Sequence, residues 1–452
     1  MKLLAAKAFI SLVLATLLAA GLLLKAQSGR TYAVGLDWWG AGRGAVFPLQ
    51  EQYDDPSGEL TVLNTKGMLK PQGHPFFEAL GSNGRACITC HQPSGAMSVA
   101  ADRIRQRWLD TQGTDPIFTA IDGSNCPDLP QADPKSHSLL LHRGLFRMAL
   151  PWPPKAATGA VILPDFRIDV VRDPTGCNTN AQFGLRSPHP SISVFRRPRV
   201  VANFKYAIAA DPAFALMADG REPSLRSQAV IAALVHEQAA VAPTGEQLDR
   251  IVEFEMQVFV AQSAHSRTGL LYGTDNPAML APENLASGTA SLLAGVASTL
   301  KAKPDFVAWQ TPQGRDHASQ FKASVARGSN VFETHCASCH QDGRAASRAI
   351  NINTTIRKDS SQTSELPLFR ITCDNSSVIY TEDPGRALIT GKCADVGAIV
   401  MQQMRGLSAR APYFSNGSAQ TLDDVVDYYD RQFSIGFSAA DRDDLVSFLS
   451  VL

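Results

Sequence analysis

The 452-residue chain is predicted to be mainly α-helical, with long loops and little β-structure. Helices are indicated where a capping residue precedes apolar residues at helical spacing, as in the capping box formed by Thr244 and Gln247. Residues 92–198 are instead rich in Pro, Gly and Asp, which indicates long loops. Within them, the alternation of apolar and charged residues at 166–170 is typical of a half-buried strand.

The predicted helices lie in the middle and the second half of the chain. Capping residues and apolar stripes place them at residues 224–240, 244–262, 321–334, from 421 to beyond 429, and 438–452. Residues 270–316 are rich in Gly, Ala and Pro and are predicted to connect two domains. A polar loop is expected after residue 340.

The first 26 residues are typical of an export segment. Two lysines precede an apolar run at residues 8–24, which gives the n-region and h-region of a secretory signal peptide. Residues 24–26 fit the small-x-small cleavage rule poorly, so an uncleaved N-terminal anchor is the alternative. Both interpretations put the folded part in an oxidising compartment outside the cytoplasm, which we expect to be the periplasm.

The overall charge balance argues against nucleic acid or an anionic membrane as a partner. The chain has 42 Lys and Arg against 42 Asp and Glu, so its formal net charge is zero. A local patch for a charged protein partner stays open. The membrane contact that we expect is therefore limited to the N-terminal anchor of the alternative above.

The pattern Cys-x-x-Cys-His occurs twice, at residues 87–91 and 336–340. Two thiols about one helical turn apart can add to the two vinyl groups of one porphyrin, and the following His can bind the iron. One copy alone is also compatible with a disulfide, a redox pair or half a zinc site. Two complete copies predict a dihaem c-type cytochrome. Its haems are held by Cys87, Cys90, Cys336 and Cys339, with His91 and His340 as proximal iron ligands.

Four cysteines remain outside the two motifs. An even remainder in an exported protein indicates disulfides, and pairing Cys126 with Cys177 and Cys373 with Cys393 respects the two halves of the chain. Three pairings are formally possible for four cysteines. Buried free thiols are the alternative.

Further sequence runs accompany the two motifs. They are residues 85–91, residues 219–221 followed by Leu225 and Gln228, residues 383–387 through 407, residues 411–418 and residues 421–422. Together they resemble the bacterial dihaem cytochrome c peroxidases and the related dihaem enzymes that mature methylamine dehydrogenase. The resemblance covers about residues 73–91 and 195–452, and it leaves out residues 92–194.

The resemblance implies two cytochrome c-like helical domains, each carrying one covalently bound haem. After the export segment at 1–26, an N-terminal domain with long loop insertions would cover residues 27–315 and a C-terminal domain residues 316–452. The first haem would react with hydrogen peroxide, the second would relay or store electrons, and a calcium ion would lie between them.

These features predict a periplasmic peroxidase that reduces hydrogen peroxide with electrons from a small cytochrome c or cupredoxin. One alternative is a peroxide-dependent enzyme that oxidises side chains of a partner protein. Another is a non-enzymatic electron-transfer cytochrome in which both irons have six ligands.

The distal residues of the first haem depart from the family pattern. Gln228 matches a distal-pocket Gln, whereas the distal acid is expected about ten residues later, where this chain has His236 and Glu237. Gln228, Ala232 and His236 lie four residues apart, on one helix face. We therefore expect His236 or Glu237 to move a proton between the peroxide oxygens. His236 as a distal iron ligand that must leave, or as a surface residue, is the alternative.

The sixth ligand of the second haem separates the two branches of the family. Tyr429 falls where the peroxidases have a Met and the maturation enzymes a Tyr, and Tyr428 is expected to turn aside. Met401 and Met404 are rival ligands, and a core Tyr without iron contact is the other alternative. A Tyr oxygen stabilises ferric iron and lowers the haem potential, whereas Met raises it.

Two further positions follow from the resemblance. Asn203 lies where a calcium-binding Asn is found, and the carbonyls of Arg410 and Pro412 would contribute to the same site. Ala218 stands where the family has a Trp between the haems, so the usual aromatic bridge is absent. Trp108 or Phe214 is a candidate to replace it.

Overall fold

The computed structural model describes most of the chain. The described residues are 33–34, 38–210, 215–273, 276–277, 279–293, 306–311, 314–337, 340, 349–351, 363–400 and 402–452. Residues 35–452 form one compact unit, and strand β1 (Ala33–Val34) precedes it. The predicted export segment lies outside the described residues. Within the described part, no helix is both long and apolar enough to cross a membrane.

Helices and strands alternate irregularly along the chain. The helices are α1 Cys87–Cys90, α2 Ala101–Thr111, α3 Ala120–Gly123, α4 Ser138–Arg143, α5 Phe204–Ala210, α6 Leu225–Val235, α7 Gly245–Gln257, α8 Pro282–Leu293, α9 Val307–Gln310, α10 His317–His335, α11 Ala387–Thr390, α12 Leu422–Phe433 and α13 Ala439–Leu449. The strands after β1 are β2 Gln50–Asp55, β3 Gly58–Asn64, β4 Phe146–Pro151, β5 Phe166–Arg172, β6 Ser191–Arg196, β7 Val258–His265, β8 Gly269–Leu270, β9 Ala349–Asn351, β10 Leu368–Cys373, β11 Val378–Thr381 and β12 Ala398–Val400.

Side-chain caps explain where the longer helices begin. Thr244 and Gln247 form the predicted capping box of α7, and Thr421 and Ser438 open α12 and α13 in the same way. The hydroxyl of Ser224 accepts a hydrogen bond from the backbone of Ser227 at the start of α6. These helix starts are as predicted.

Strands β2, β3, β7 and β8 lie side by side in an antiparallel sheet. β3 pairs with β2 on one side and with β7 on the other, where Val62 stands opposite Val260. β8 then pairs with the end of β7. Some of the apolar side chains of this sheet, including Leu60 and Val258, belong to the same hydrophobic core as the helix α1, while Phe259 and Ala261 form a separate cluster with Leu285.

Strand β10 is the centre of a second antiparallel sheet. It pairs with β11 and, on its other side, with β5, which confirms the predicted strand at residues 166–170. Two further antiparallel pairs are β4 with β6 and the short pair β9 with β12. Buried residues of β5, β6 and β10 pack together as a separate core that includes Phe166, Val194 and Phe369.

The prediction of a mainly helical fold with little β-structure was wrong. The hairpin of β2 and β3 occupies a stretch that had no assignment, and β10 to β12 occupy the expected polar loop of the second half. The helix expected to reach residue 262 ends at Gln257, because the apolar run that follows pairs with β3 as strand β7. A short, continuous apolar run fits a buried strand as well as a helix, so the sequence alone does not separate the two.

Both predicted disulfides are confirmed. Cys126 is joined to Cys177 and Cys373 to Cys393, with Cα atoms 5.2 and 5.9 Å apart. The first bond ties together two distant loops of the segment 92–194, and the second ties the end of β10 to a short turn before β12. The alternative of buried free thiols does not apply to these four residues.

A hydrophobic core lies beside each of the two Cys-x-x-Cys-His motifs. The first surrounds α1 and includes Phe76, Phe77 and Phe254, while the second includes Phe332 and Phe448 and contacts the second motif. The pairing of β5 with β10 links strands from either side of the predicted boundary between residues 315 and 316. The division into two domains stays a prediction.

Candidate functional site

A cavity lies between the first motif and helices α6 and α7. Small-molecule sites are commonly clefts lined mainly by apolar side chains. Much of the wall of this cavity is apolar in the same way. The apolar lining includes Phe146, Met148, Val201, Phe204, Leu216 and Ile251.

The first motif forms one wall of the cavity. α1 is a single turn, started where the backbone N–H of Ala86 donates to the hydroxyl of Thr89, and it carries Cys87 and Cys90 three residues apart. Both thiols line the cavity. Burial raises the pKa of Cys87 well above its ordinary value and that of Cys90 to about 12.

His91 follows α1 and lines the same cavity. Its Nδ1 lies 3.2 Å from the carbonyl oxygen of Met97, and the backbone of Arg199 is a second hydrogen-bond partner of the ring. Burial lowers the pKa of His91 to about 4, which leaves the imidazole neutral at pH 7. A neutral imidazole oriented by a backbone carbonyl is the form that binds iron.

Buried arginines give the cavity a positive part. Arg196 is paired with Asp219 and Asp383, with nitrogen–oxygen distances of 2.6 Å to each. In contrast, among the described residues the guanidinium groups of Arg197 and Arg199 hydrogen-bond to carbonyl oxygens and to no carboxylate. A buried cation without an acidic partner is costly unless an anion offsets it.

The residues of this cavity fit a haem c. The thiols of Cys87 and Cys90 can form thioether bonds to a porphyrin, and the neutral imidazole of His91 can bind iron. The apolar walls suit the apolar macrocycle. The buried Arg197 and the half-buried Arg199, whose described hydrogen bonds all go to carbonyl oxygens, suit the carboxylates that a haem carries at its edge. Cys87, Cys90 and His91 are therefore the residues that would hold the group.

The wall formed by α6 carries the predicted distal residues. Gln228, Ala232 and His236 all line the cavity, as their spacing on one helix face predicted. Glu237 lines it as well, but its carboxylate accepts a hydrogen bond from the backbone of Leu80 at 2.9 Å and lies 3.4 Å from the thiol of Cys87. Burial raises the pKa of Glu237 to about 7.

Asp122 is a site residue that the sequence reasoning missed. Its Oδ2 lies 2.8 Å from Nδ1 of His236 and 3.2 Å from Nη1 of Arg85. Burial raises the pKa of Asp122, but His236 and Arg85 outweigh burial and hold that pKa below its ordinary value. Asp122 lies in the short helix α3, within residues 92–194, and no sequence spacing connects it to His236 more than a hundred residues later.

Glu255 is a second residue that was missed. Its side chain on α7 is 2% exposed and lines the cavity, and burial raises its pKa to about 8. Its Oε2 has no hydrogen-bond partner among the described residues. A signal for it existed, because Glu255 continues the apolar stripe of Leu248 and Ile251 at helical spacing.

The second motif follows the end of α10. Cys336 caps that helix, and the ring of His340 faces Tyr429 of α12, with Nε2 and Oη 3.5 Å apart and the ring planes at 90°. Burial lowers the pKa of His340 to about 4. Tyr429 therefore presents its oxygen to the nitrogen that a haem iron would bind. Cys339 lies outside the described residues.

The neighbours of Tyr429 are aromatic. Of the two rival ligands, only Met404 lies among the described residues. Phe414 and Phe433 contact the ring of Tyr429. Tyr428, which was expected to turn aside, is buried and also packs on Phe414. Met404 packs against the second core, and Met401 lies outside the described residues.

Asn203 and the carbonyl of Arg410, both predicted to bind calcium, are hydrogen-bonded to protein groups. Asn203 donates to the side chain of Gln403 at 2.8 Å and accepts from the backbone of Val260 at 2.9 Å. The carbonyl of Arg410 accepts from Arg197 at 2.7 Å, and Pro412 follows two residues later. In the described residues no group of three or more His, Cys, Asp or Glu side chains could hold a metal ion. The calcium site stays a prediction.

The predicted absence of an aromatic bridge between two haems, at Ala218, also stays a prediction. Ala218, where the family has a Trp, lines the cavity. Trp108 packs on Phe118 and His137, and Phe214 lies outside the described residues.

Comparison with known proteins gives one limited similarity. No family model matches the chain. Over 130 residues the chain is 29% identical to the cytochrome-c peroxidase IdrP2 of Denitromonas iodatirespirans. The match covers 26% of this chain and 35% of the relative, so the chain spans about a third of that protein's length. This likeness supports a peroxidase-type oxidoreductase.

Proposed function

We propose that this protein is a periplasmic dihaem peroxidase that reduces hydrogen peroxide to water with electrons from a small redox protein. The observation that carries the proposal is the cavity with a haem-attachment motif on one wall and Gln228 and His236 on the other. The likeness to a cytochrome-c peroxidase over part of the chain points the same way.

A haem c bound through Cys87, Cys90 and His91 would supply an iron that accepts peroxide oxygen and passes on electrons. The protein's own residues would manage protons and water. The amide of Gln228 would hydrogen-bond the peroxide, and the apolar lining would exclude bulk water. The overall balance is one hydrogen peroxide, two electrons and two protons giving two waters.

His236 is our candidate for the acid–base group. Its Nδ1 is hydrogen-bonded to Asp122. Nε2 is therefore the nitrogen available to accept a proton from one peroxide oxygen and return it to the other. Glu237 is less suited, because its carboxylate is turned to the backbone of Leu80 and to the Cys87 thiol. We assign it the role of fixing the loop at residue 80 against α6.

The second haem would be held by Cys336, Cys339 and His340 and would take electrons from the donor, a small cytochrome c or cupredoxin. Tyr429 favours a second candidate function at this site. A His/Tyr-ligated iron would have a low potential and would store oxidising equivalents, which suits a peroxide-dependent oxidation of side chains on a partner protein.

Stopped-flow mixing of the holoprotein with peroxide, with and without a reduced small cytochrome c, tests these functions. We expect a five-coordinate, high-spin first haem and rapid oxidation of the cytochrome. His236→Gln should slow the reaction with peroxide by about 10²–10⁴-fold, since that is the usual contribution of a positioned acid–base group. His142→Gln, on the exposed face of α4, is the matched control and should leave the rate unchanged.

Other outcomes decide between the alternatives. A long-lived oxidised state that does not oxidise the cytochrome would support the protein-oxidising enzyme. Two low-spin, six-coordinate haems without any reaction with peroxide would contradict both enzymes and leave an electron carrier.

A further inference from the structure

We propose that Asp122 is a positioning residue that fixes His236 with its Nε2 directed at the first haem site. The inference rests on the proposed function and deepens it. It gives a role to the segment 92–194, which the sequence resemblance leaves out, because that segment supplies the carboxylate.

The geometry defines which nitrogen of His236 is used. Asp122 is 5% exposed, and its Oδ2 lies 2.8 Å from Nδ1 of His236. A carboxylate accepts hydrogen bonds, so Nδ1 carries the hydrogen and Nε2 has the free lone pair. His236 itself lines the cavity, as does Asp122. The carboxylate thus sets both the tautomer and the rotation of the ring.

Asp122 is itself held in place from the first motif. Arg85, two residues before Cys87, donates from Nη1 to Asp122 at 3.2 Å. The same guanidinium donates from Nε to the carbonyl of Pro116 at 2.8 Å and from Nη2 to that of Ile117 at 2.9 Å. Arg85 is 2% exposed. The chain Arg85–Asp122–His236 therefore connects one wall of the cavity to the other through buried hydrogen bonds.

Other charged groups near His236 do not replace Asp122. Glu237 is the neighbouring carboxylate, but it hydrogen-bonds to Leu80 and Cys87. His91 also lines the cavity and is neutral, and Arg147, which donates to the carbonyl of Ile121, adds positive charge near Asp122. Asn83 donates to the backbone carbonyl of His236 at 2.8 Å and so fixes the main chain, not the ring.

Cyanide is a probe that separates positioning from turnover. Hydrogen cyanide must lose its proton before cyanide binds ferric iron, and His236 Nε2 would take that proton while the carbon binds the metal. The rate of cyanide binding to the oxidised holoprotein, followed by the Soret band, therefore reports the distal base without any reaction with peroxide. It is measured across pH for the wild type and for variants.

Asp122→Asn should slow cyanide binding by about tenfold or more and alter its pH dependence, because an amide can donate as well as accept and no longer fixes the hydrogen on Nδ1 of His236. His236→Gln should slow it further, and the double variant should be no slower than His236→Gln alone. Asp444→Asn is the matched control. Asp444 is similarly buried, pairs with Arg327 at 2.6 Å and lies in α13, outside the cavity lining, so the rate and profile should not change.

An Asp122→Asn protein with wild-type rate and pH profile would overturn the proposal, and so would effects of Asp122→Asn and His236→Gln that multiply in the double variant. Asp122→Ser, judged in the same way, serves if the first variant does not accumulate as holoprotein. A wild-type protein that binds no cyanide overturns the proposal too. Cyanide binding that depends on Asp122 in a protein inert to peroxide would reject the proposed function and keep the positioning role.

Discussion

Tyr429 is the side chain on which the properties of the second site depend most. Its hydroxyl faces Nε2 of His340 at 3.5 Å, and Phe414 and Phe433 hold the ring in place. Tyr428 is more buried, and its ring contacts both Phe414 and Tyr429. The choice of oxygen or sulfur at this position sets the potential of a haem between His340 and α12.

We predict that Tyr429→Met raises the reduction potential of the second haem, because a thioether favours ferrous iron and a phenolate oxygen favours ferric iron. The shift should be on the order of 100 mV, within the range of about 0.8 V over which axial ligands tune haem. Spectroelectrochemical titration measures it. Tyr428→Phe is the control and should leave the potential unchanged. An unaltered spectrum and potential in Tyr429→Met would remove Tyr429 as an iron ligand.

At the scale of elements, features that depend on neighbouring residues could be predicted from the sequence. Features that depend on distant residues could not. Capping residues such as Thr244 and Ser438 mark helix starts, because the hydrogen bonds that they make lie within four residues. The end of α7 depends on β3, which is almost two hundred residues away and pairs with the run after Gln257. Because of that pairing, the residues after Gln257 form strand β7 and do not continue the helix as expected. The fold therefore has more β-structure than the sequence predicted.

The candidate site divides in the same way. The spacing of Gln228 and His236 on α6 predicted that they share a face, and both line the cavity. Asp122 and Arg85 meet His236 through tertiary contacts alone, so no pattern in the sequence connects them. Glu255 lies between these cases, since an acid within an apolar stripe is a visible exception to helix periodicity.

The disulfide between Cys126 and Cys177 gives an element-scale prediction. It closes a separation of 51 residues, and Cys126 follows Asp122 by four residues. We expect its replacement by two serines to lower the free energy of unfolding by about 4 kcal/mol, as loop entropy predicts. Cyanide binding at the first haem should also slow, because the carboxylate that positions His236 loses its support.

The disulfide between Cys373 and Cys393 is the matched control for that experiment. It closes a shorter separation of 20 residues and lies in the sheet of β10. Its replacement by two serines should lower the free energy of unfolding by about 3 kcal/mol and leave cyanide binding at the first haem unchanged. Equal losses of cyanide binding in both variants would show that the effect comes from general destabilisation and not from Asp122.

At the scale of the whole molecule, the proposed chemistry requires two attachment sites in one folded unit. Each motif lies against its own hydrophobic core, with Cys87 packed on the first and Cys336 on the second. The strands β5 and β10 pair across the two halves of the chain. Removing the attachment of one haem would therefore leave the other hydrophobic core and the shared sheet in place.

We therefore predict that the purified protein carries the mass of two haems that survive denaturation, because thioether bonds are covalent. Changing Cys87 and Cys90 to Ser should remove one haem mass, abolish the reaction with peroxide and cyanide, and leave the spectrum of the second haem. Changing Cys336 and Cys339 to Ser should remove the other haem and keep cyanide binding at the first. Intact mass and haem absorbance measure the loading, and the variant lacking Cys126 and Cys177 controls for the loss of two cysteines, since it should keep both haems. A protein whose mass includes no haem, or whose Cys87 and Cys90 variant still binds cyanide as before, would contradict the assignment of the reactive site to the cavity between α1 and α6.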